Sequence, residues 1–325
     1  MDPINKERKV VVIGGGTGLS TMLKGIKKYT SAITAIVTVA DNGGGSGKLR
    51  EEMGIMPPGD IRNCLVALAN TEPIMEKVLQ YRFKEGSLKG QNLGNLFLAA
   101  LTEITGSFEK AVHVTSNVLA ITGQVLPVTL EDVQLYATFE NGKQIEGETE
   151  IVDYGSREKV MIKDICLIPN NPRPVKEAVL AIKEADMILL GPGSLYTSII
   201  PNLLVDRMPT LLQEAKGRKI YVANIMSQPG ETTGFTVENH IEKLERYIGK
   251  NVLDSVIVNN ACIPEEYLKE YEMDGAHVLT YDADHEIWRR IKKIEAPLAK
   301  FYTQRRIVRH DSKKLAECIF NEIKD

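Results

Sequence analysis

The sequence has few of the residues that disulfide-rich, zinc-binding or membrane-spanning proteins need. The four cysteines among its 325 residues form no C-x-x-C pair and have no histidine at zinc-ligand spacing, so the sequence predicts neither a disulfide framework nor a zinc site. No run of about 18 uncharged apolar residues occurs, and the N-terminus has no apolar signal core. We therefore expect no membrane insertion and a cytoplasmic location.

Neither sign of charge dominates the chain. Lys and Arg number 40 against 43 Asp and Glu, a formal net charge of −3, which disfavours bulk electrostatic binding of nucleic acid or of an anionic membrane. The C-terminal group Arg305, Arg306, Arg309 and His310 is the local exception; it forms a solvated face, reaches a cleft or binds a partner. A homodimer is compatible with these features.

Short apolar runs alternate with helical stripes along most of the chain. The run Val10–Ile13 ends in glycines and is followed by Leu19, Met22, Leu23 and Ile26, which are spaced like one face of a helix. A second apolar run, residues 33–40, completes a strand–helix–strand unit, and strands at Met187–Leu190, Ile220–Ala223 and Ser255–Val258 continue the alternation. The pattern predicts a doubly wound, Rossmann-like three-layer α/β sandwich with a mostly parallel sheet.

One segment departs from this alternation. Residues 124–168 contain short β-prone runs around Asn141-Gly142, a pair typical of hairpin turns. The segment is too small and too polar for a separate domain. We predict a single domain over residues 1–325, with residues 124–168 as a strand-rich elaboration within it.

The first predicted strand leads directly into a glycine-rich turn. Gly14, Gly15, Gly16, Thr17 and Gly18 stand between that strand and a helix, where backbone N–H groups and the helix dipole favour an anion such as a diphosphate. Leu19 stands where G-x-G-x-x-G requires its last glycine, so a merely tight strand–helix turn remains an alternative.

The second predicted strand is followed by acidic and glycine residues. Asp41 could hold a ribose hydroxyl or a metal, and Asp60 could join it on a Mg²⁺ ion bridged by phosphate; capping its own helix is the alternative for Asp60. Arg62 is suited to clamp a phosphate. The remaining candidates of this region for ligand contact are Asn42, Gly43, Gly44, Ser46, Lys48 and Asn63.

The later strand ends carry a glycine turn and several amides. Gly193 and Ser194 follow a strand and open a helix, which is another candidate phosphate seat. Asn224, Gln228 and Asn259 close further strands, and amides recognise the donor–acceptor edges of a base or a sugar. The alternative for each of them is a structural role in its own turn.

Five segments together resemble the bacterial gluconeogenesis factor (YvcK-like) family, which is related to the 2-phospho-L-lactate transferases of coenzyme F420 biosynthesis (CofD-like). They are VVIGGGTGLSTMLKGI, VTVADNGGGSGKLREEMGIMPPGDIRNCLVALA, GQNLGNLFLAAL, LLGPGSLYTSIIPNLLV and NIMSQPGETTGFTVENH. The resemblance implies a cytoplasmic protein that binds nucleotide sugars such as UDP-glucose and UDP-N-acetylglucosamine and is needed for cell shape and for growth on gluconeogenic carbon sources.

The related transferases imply an alternative function. They use Mg²⁺ to transfer a phospholactyl group from a guanosine diphosphate carrier, and their diacidic loop corresponds to Asp41 and the next position. That position is Asn42 here, which removes one metal ligand and disfavours the transfer reaction. We therefore expect a UDP-sugar-binding regulator, with a Mg²⁺-dependent transferase second and a dinucleotide-dependent oxidoreductase third.

Overall fold

The computed structural model describes residues 7–303 and 306–322, which form an α/β sandwich. The strands are β1 Val10–Gly14, β2 Ile33–Val37, β3 Gln124–Pro127, β4 Gln134–Phe139, β5 Gln144–Glu146, β6 Ile162–Ile168, β7 Met187–Leu190, β8 Arg218–Val222, β9 Ser255–Asn259, β10 Lys292–Ala296, β11 Ala299–Tyr302 and β12 Ile307–His310. The helices are α1 Gly16–Ile26, α2 Gly44–Met53, α3 Gly59–Leu68, α4 Pro73–Leu79, α5 Leu93–Thr105, α6 Phe108–Val118, α7 Glu148–Glu158, α8 Lys176–Glu184, α9 Ile200–Leu203, α10 Met208–Glu214, α11 Val237–Ile248, α12 Glu265–Met273 and α13 Ser312–Asn321.

The central sheet has seven strands in the order β10-β9-β8-β7-β1-β2-β3, and every neighbouring pair is parallel. Helices cover both faces. Alternate residues of β1 therefore enter two separate cores: Val11 and Ile13 pack on one face, and Val10 and Val12 on the other. This burial on both faces explains why the strands read as continuous apolar runs, and it confirms the doubly wound fold.

Two small antiparallel sheets stand beside the main one. β4, β5 and β6 form the first, with a turn at Gly142, whose φ of +82° suits glycine; β11 and β12 form the second. One boundary differs from the sequence interpretation of residues 124–168. Residues 124–127 are β3, the edge strand of the main sheet, because they pair with β2 in parallel register.

The chain leaves β1 and β7 toward opposite edges of the sheet. β1 is followed by β2 and β3 on one side, whereas β7 is followed by β8, β9 and β10 on the other. In open α/β sheets, such a reversal leaves a crevice outside the carboxyl ends of the strands, where ligands bind. Among the described residues, no helix combines the length and apolar character that crossing a bilayer requires.

Candidate functional site

A cavity of about 480 Å³ lies at this crevice between β1 and β7. Its lining comes from the loops that follow β1, β2, β7 and β8, from the start of α7, and from α12 and β12. The polar lining residues that bear on its chemistry are Gly16, Thr17, Gly18, Asp41, Asp60, Glu148, Gly193, Ser194, Ser198, Asn224, Ser227, Gln228, Tyr271, Asp274, Arg309 and His310.

The first glycine turn forms the floor of the cavity. Helix α1 begins at Gly16, whose φ is +70°, and its N-cap residue, Gly15, has no side chain with which to cap it. Gly18 must lack a side chain, because a Cβ there would lie 2.5 Å from the carbonyl oxygen of Pro192 in the loop after β7. The two loops of the crevice therefore touch through their backbones, and the first turn of α1 faces the cavity.

Gly14 and Gly15 lie beneath this turn rather than on the cavity wall. The Gly14 carbonyl accepts hydrogen bonds from the Thr38 N–H at 3.0 Å and from the Asn202 amide at 3.2 Å. A Cβ on Gly15 would lie 2.5 Å from the Asp60 carboxylate. Both glycines thus permit close packing, while Gly16, Thr17 and Gly18 provide the cavity surface.

Asp41 and Asp60 meet at one end of the cavity. Asp41 accepts the Gly43 N–H at 2.7 Å, whereas Asp60 lies in the first turn of α3 and accepts the Gly16 N–H. Asp60 therefore does not cap its own helix, contrary to that alternative. Burial and the Asp41 charge raise the pKa of Asp60 to about 6, and burial raises the pKa of Asp41 despite its hydrogen bonds.

Glu148 adds a third carboxyl that the sequence interpretation missed. It begins α7, within the elaboration, and lines the cavity beside the two aspartates. Burial, reinforced by the charges of Asp41, Asp60 and Glu231, raises its pKa well above the usual range. The strand that ends just before Glu148 is β5 of the small antiparallel sheet and not a strand of the central parallel sheet, so the rule that located Asp41 could not locate Glu148. A local feature of its position is Gly147, with φ +93°.

The second glycine loop positions α7 rather than lining the cavity. The Asn42 amide donates to Glu150 at 2.7 Å and its oxygen accepts the Thr149 N–H at 3.1 Å, so Asn42 anchors the start of that helix. Gly43 caps α2 and Gly44 is the first residue of that helix. Ser46 is buried and bonded to Asp41, and Lys48 is exposed to solvent.

Arg62 and Asn63 lie behind Asp60. The Arg62 guanidinium donates to the Asn63 side-chain oxygen at 2.7 Å, and Asn63 in turn is hydrogen-bonded to Asp60. Burial and the nearby Arg82 lower the pKa of Arg62 to about 10, against the opposing effect of Asp60 and Asp41. Neither residue lines the cavity; Asn63 acts on it through Asp60, and the Arg62 charge acts on both Asp60 and Asp41.

The helical turn after β7 already has an internal hydrogen-bond acceptor. The buried Glu231 carboxylate accepts the Tyr196 N–H at 3.2 Å and the Thr197 hydroxyl at 3.3 Å, and it is also bonded to Ser194. Burial raises its pKa to about 7. Gly193 and Ser194 do line the cavity, but Glu231 occupies the N-terminal donors that the sequence interpretation offered to a phosphate.

The amides of the later strand ends fall into two groups. The side-chain oxygen of Asn224 accepts the Gly193 N–H at 3.1 Å, and its amide nitrogen donates to the Gly193 carbonyl at 2.9 Å. The Gln228 amide donates to the Ser194 hydroxyl at 2.5 Å, and both amides line the cavity. Asn259 does not line it. Its oxygen accepts the N–H groups of Leu298 and Ala299 and thereby joins β9 to the start of β11.

The far wall is built from the C-terminal part of the chain. Arg309 and His310 on β12 line the cavity opposite the carboxyl groups, together with Tyr271 of α12, whose hydroxyl accepts the Val308 N–H at 2.9 Å. Arg306 points elsewhere and pairs with Glu270. Arg305, the other arginine of the basic group, lies outside the described residues.

The side chains of the cavity can supply only some of the ligands that a metal ion needs. No group of three or more His, Cys, Asp or Glu side chains within the described residues is arranged to hold a metal ion. Asp41 and Asp60 remain a pair of hard oxygen donors, and one or two carboxylates plus substrate phosphate is the usual way in which proteins bind Mg²⁺. The site therefore fits Mg²⁺ that arrives with a phosphate-bearing ligand.

Comparisons with known proteins agree with this architecture. A protein of Thermoanaerobacterium thermosulfurigenes whose name refers to a gluconeogenesis factor is 55% identical over 96% of this chain and 95% of its own length. The gluconeogenesis factor of Bacillus subtilis (strain 168) is 42% identical over 99% of this chain and 100% of its own. A crystal structure of a UPF0052 family protein from Bacillus halodurans superposes with a TM-score of 0.92 at 39% identity, over 98% of this chain and 100% of that one. The sequence model of the 2-phospho-L-lactate transferase CofD family matches residues 10–299, and the chain belongs to that family, among the relatives named gluconeogenesis factors.

Proposed function

We propose that this protein is a cytoplasmic regulator that binds a nucleotide sugar, UDP-glucose or UDP-N-acetylglucosamine, and that cells need it for normal shape and for growth on gluconeogenic carbon sources. The observation that carries the binding proposal is the first turn of α1, because residues 16–18 line the floor of the crevice between β1 and β7. Backbone N–H groups and the helix dipole there favour a diphosphate. The gluconeogenesis-factor names of the relatives support the cellular role.

The carboxyl groups beside α1 determine how a diphosphate can bind. Asp41, Asp60 and Glu148 would repel it if all three were ionised. Burial is the main cause of their raised pKa values; the charge of Asp41 adds to it at Asp60, and the charges of both aspartates add to it at Glu148. A divalent cation removes this conflict by lying between carboxylate and phosphate oxygens. We therefore expect the diphosphate to bind together with Mg²⁺ on Asp41 and Asp60.

The rest of the cavity has room and chemistry for the neutral parts of the ligand. Ile225 and Met226 supply apolar surface, and Gln228, Ser227 and Tyr271 supply polar groups. The volume of about 480 Å³ lies within the range of roughly 300–1,000 Å³ that small-molecule sites occupy. A diphosphate on α1 would place the nucleoside and the sugar along this lining.

Thermal unfolding with added ligands tests the proposal. UDP-N-acetylglucosamine at about 100 times its Kd should stabilise the protein by about 2.7 kcal/mol, and Mg²⁺ should strengthen its binding. A shift with NAD or GDP but with no UDP-sugar would contradict the proposed ligand class.

Matched aspartate variants test the role of the cation. Asp60→Asn should lose the dependence of UDP-sugar binding on Mg²⁺, because one of the two proposed metal donors is gone. Asp153→Asn, at an exposed position of α7, is the control and should retain it. Identical Mg²⁺ dependence in both variants would remove Asp60 from the metal site.

A Mg²⁺-dependent transferase acting on a nucleotide-diphosphate-linked donor is the second candidate. The match of residues 10–299 to the transferase family favours it, whereas Asn42, which holds α7, leaves the family's second acidic position without a carboxylate. Incubation with phospholactyl-guanosine diphosphate and a deazaflavin acceptor should then give the transfer product, and Asp41→Ala should abolish it. Absence of product with Mg²⁺ present would leave the binding function alone.

A further inference from the structure

We propose that the protein forms a homodimer in which the apolar face of α4 and α5 packs against the same face of a second copy, with the two α5 helices antiparallel. The proposal goes beyond the binding of a nucleotide sugar. The residues that carry it lie outside the lining of the cavity.

Helix α5 buries mostly small or polar residues against the rest of the protein. Its buried residues are Gly94, Asn95, Leu98 and Ala99. A Cβ on Gly94 would lie 2.4 Å from the carbonyl oxygen of Leu79, the last residue of α4, so the two helices meet through their backbones. At this contact α5 has no room for a side chain.

The opposite side of α5 is apolar and faces solvent. Its residues follow one another at i, i+4, i+7 and i+11, the spacing of one helix face, and are Leu93, Phe97, Ala100 and Ile104. Ile104 is 78% exposed, Ala100 is also exposed, and the other two are half-buried. A surface helix normally turns polar residues to solvent, so this face has the composition of one that packs against another element.

Helix α4 extends the apolar face. Ile74 and Val78 lie one turn apart on α4 and are exposed, Ile74 by 66%, and the exposed Tyr81 follows in the turn that ends the helix. The Tyr81 carbonyl accepts the Leu93 N–H at 2.9 Å, so the apolar residues of α4 adjoin those of α5. Exposed apolar surfaces of this kind mark sites of protein association.

The charges at the two ends of α5 favour a second copy as the partner. The loop before α5 has three cations and one anion: Arg82, Lys84, Lys89 and Glu85. Glu103, in the last turn of α5, is the only charged residue of that helix and is exposed. Within the part of the chain that the structure describes, no salt bridge includes Lys84, Lys89 or Glu103.

The fitting partner must therefore be apolar in the middle, acidic opposite the loop and basic opposite Glu103. The same face of a second copy has this pattern when its α5 runs antiparallel. A two-fold axis then places the two lysines of each copy beside Glu103 of the other, so the favourable contact forms twice. Ala100, near the middle of the apolar face, has a side chain small enough for the two helices to approach closely.

Analytical ultracentrifugation of the full chain tests the proposal. The wild type should sediment at twice the chain mass at micromolar concentration. Ile104→Glu should raise the Kd of the dimer about 100-fold, because the two-fold axis makes the interface bury two unpaired carboxylates. Ile74→Glu, on α4, should act in the same direction and provides an independent variant. Leu180→Glu, at a 58% exposed apolar position of α8, is the matched control and should remain dimeric.

Charge reversal tests the antiparallel arrangement. Glu103→Lys should raise the Kd of the dimer about fivefold, because it places like charges together at both ends of the interface. Adding Lys84→Glu and Lys89→Glu to the same chain should restore the affinity; a triple variant that is weaker still would refute the antiparallel pairing.

Three results would overturn the dimer itself. They are a wild type that stays monomeric at micromolar concentration, a dimer that neither Ile104→Glu nor Ile74→Glu weakens although circular dichroism shows both variants folded, and a monomer that sediments with phosphatidylglycerol vesicles. The last result would assign the apolar face to a membrane surface. Thermal shifts with UDP-sugars measure ligand binding separately, so each of these results leaves the proposed function intact.

Discussion

The buried carboxyl of Glu231 should make the stability of the protein fall as the pH rises through neutrality. Burial raises its pKa from 4.5 to about 7, so the folded protein retains this proton over a range in which the unfolded chain has lost it. Glu231→Gln replaces the carboxyl by a neutral amide of the same shape. The amide can accept from the Tyr196 N–H and donate to a hydroxyl, as the protonated acid does.

The size of the effect follows from the shift in pKa. Between pH 4.5 and 7 the unfolded state binds fewer protons than the folded state, so the free energy of unfolding falls by 1.36 kcal/mol per pH unit. Over the whole shift, the wild type should lose about 3 kcal/mol relative to Glu231→Gln. The difference develops mainly between pH 4.5 and 7 and is complete about one pH unit above 7.

Urea unfolding from pH 4.5 to 8 measures this difference directly. The fluorescence of Trp288, the single tryptophan, reports unfolding, and the difference between the two proteins removes the contributions of all other titrating groups. Glu214→Gln at an exposed position controls for the substitution itself. Parallel curves for wild type and Glu231→Gln across this range would refute the reasoning, because they would mean that folding leaves the proton affinity of Glu231 unchanged.

Two further predictions concern packing and acid sensitivity. Gly18→Ala should destabilise the protein by roughly 1–3 kcal/mol in urea unfolding and abolish the thermal shift with UDP-sugars, because its Cβ would lie 2.5 Å from the Pro192 carbonyl oxygen. Ala inside a helix usually stabilises a protein relative to Gly. Stabilisation by Gly18→Ala would therefore show that the loops after β1 and β7 can separate. Burial lowers the pKa of His240 from 6.5 to about 4, so between these pH values only the unfolded chain gains the proton, and the wild type loses stability as the pH falls. His240→Phe lacks this group, and its free energy of unfolding should fall by about 3 kcal/mol less than that of the wild type between pH 6.5 and 4. Equal acid-induced losses in the two proteins would contradict this.

The sequence predicted the fold well because its evidence is local. Met187–Leu190 is a strand with the predicted bounds. Strands buried on both faces of a parallel sheet consist of consecutive apolar residues, so these runs can be recognised in the sequence alone. The segment 124–127 was assigned to the elaboration because an edge strand with one half-exposed face lacks that signature.

The site was predicted only as far as strand ends determine it. Gly16, Thr17, Gly18 and Asp41 were located because parallel strands bring their carboxyl ends to one edge of the sheet. Position after a strand does not reveal whether a side chain faces the ligand or the protein, which is why Asn259 was grouped with Asn224. The difference depends on backbone groups of Leu298 and Ala299 that are about 40 residues away in the sequence.

Glu148 and Asn42 show why the charge at the carboxyl groups of the cavity cannot be judged from a single sequence position. Asn42 stands in the loop after β2 at the position where the resemblance to the transferases implies a second carboxylate. In the structure the same amide holds Thr149 and Glu150, and so sets where α7 begins. Arg50 of α2 supports the elaboration by donating hydrogen bonds to Asp132 and to the Val133 carbonyl. A carboxyl is thus lost from the loop, and the residue in its place helps to hold Glu148 at the cavity, so the charge available to a cation depends on both positions together.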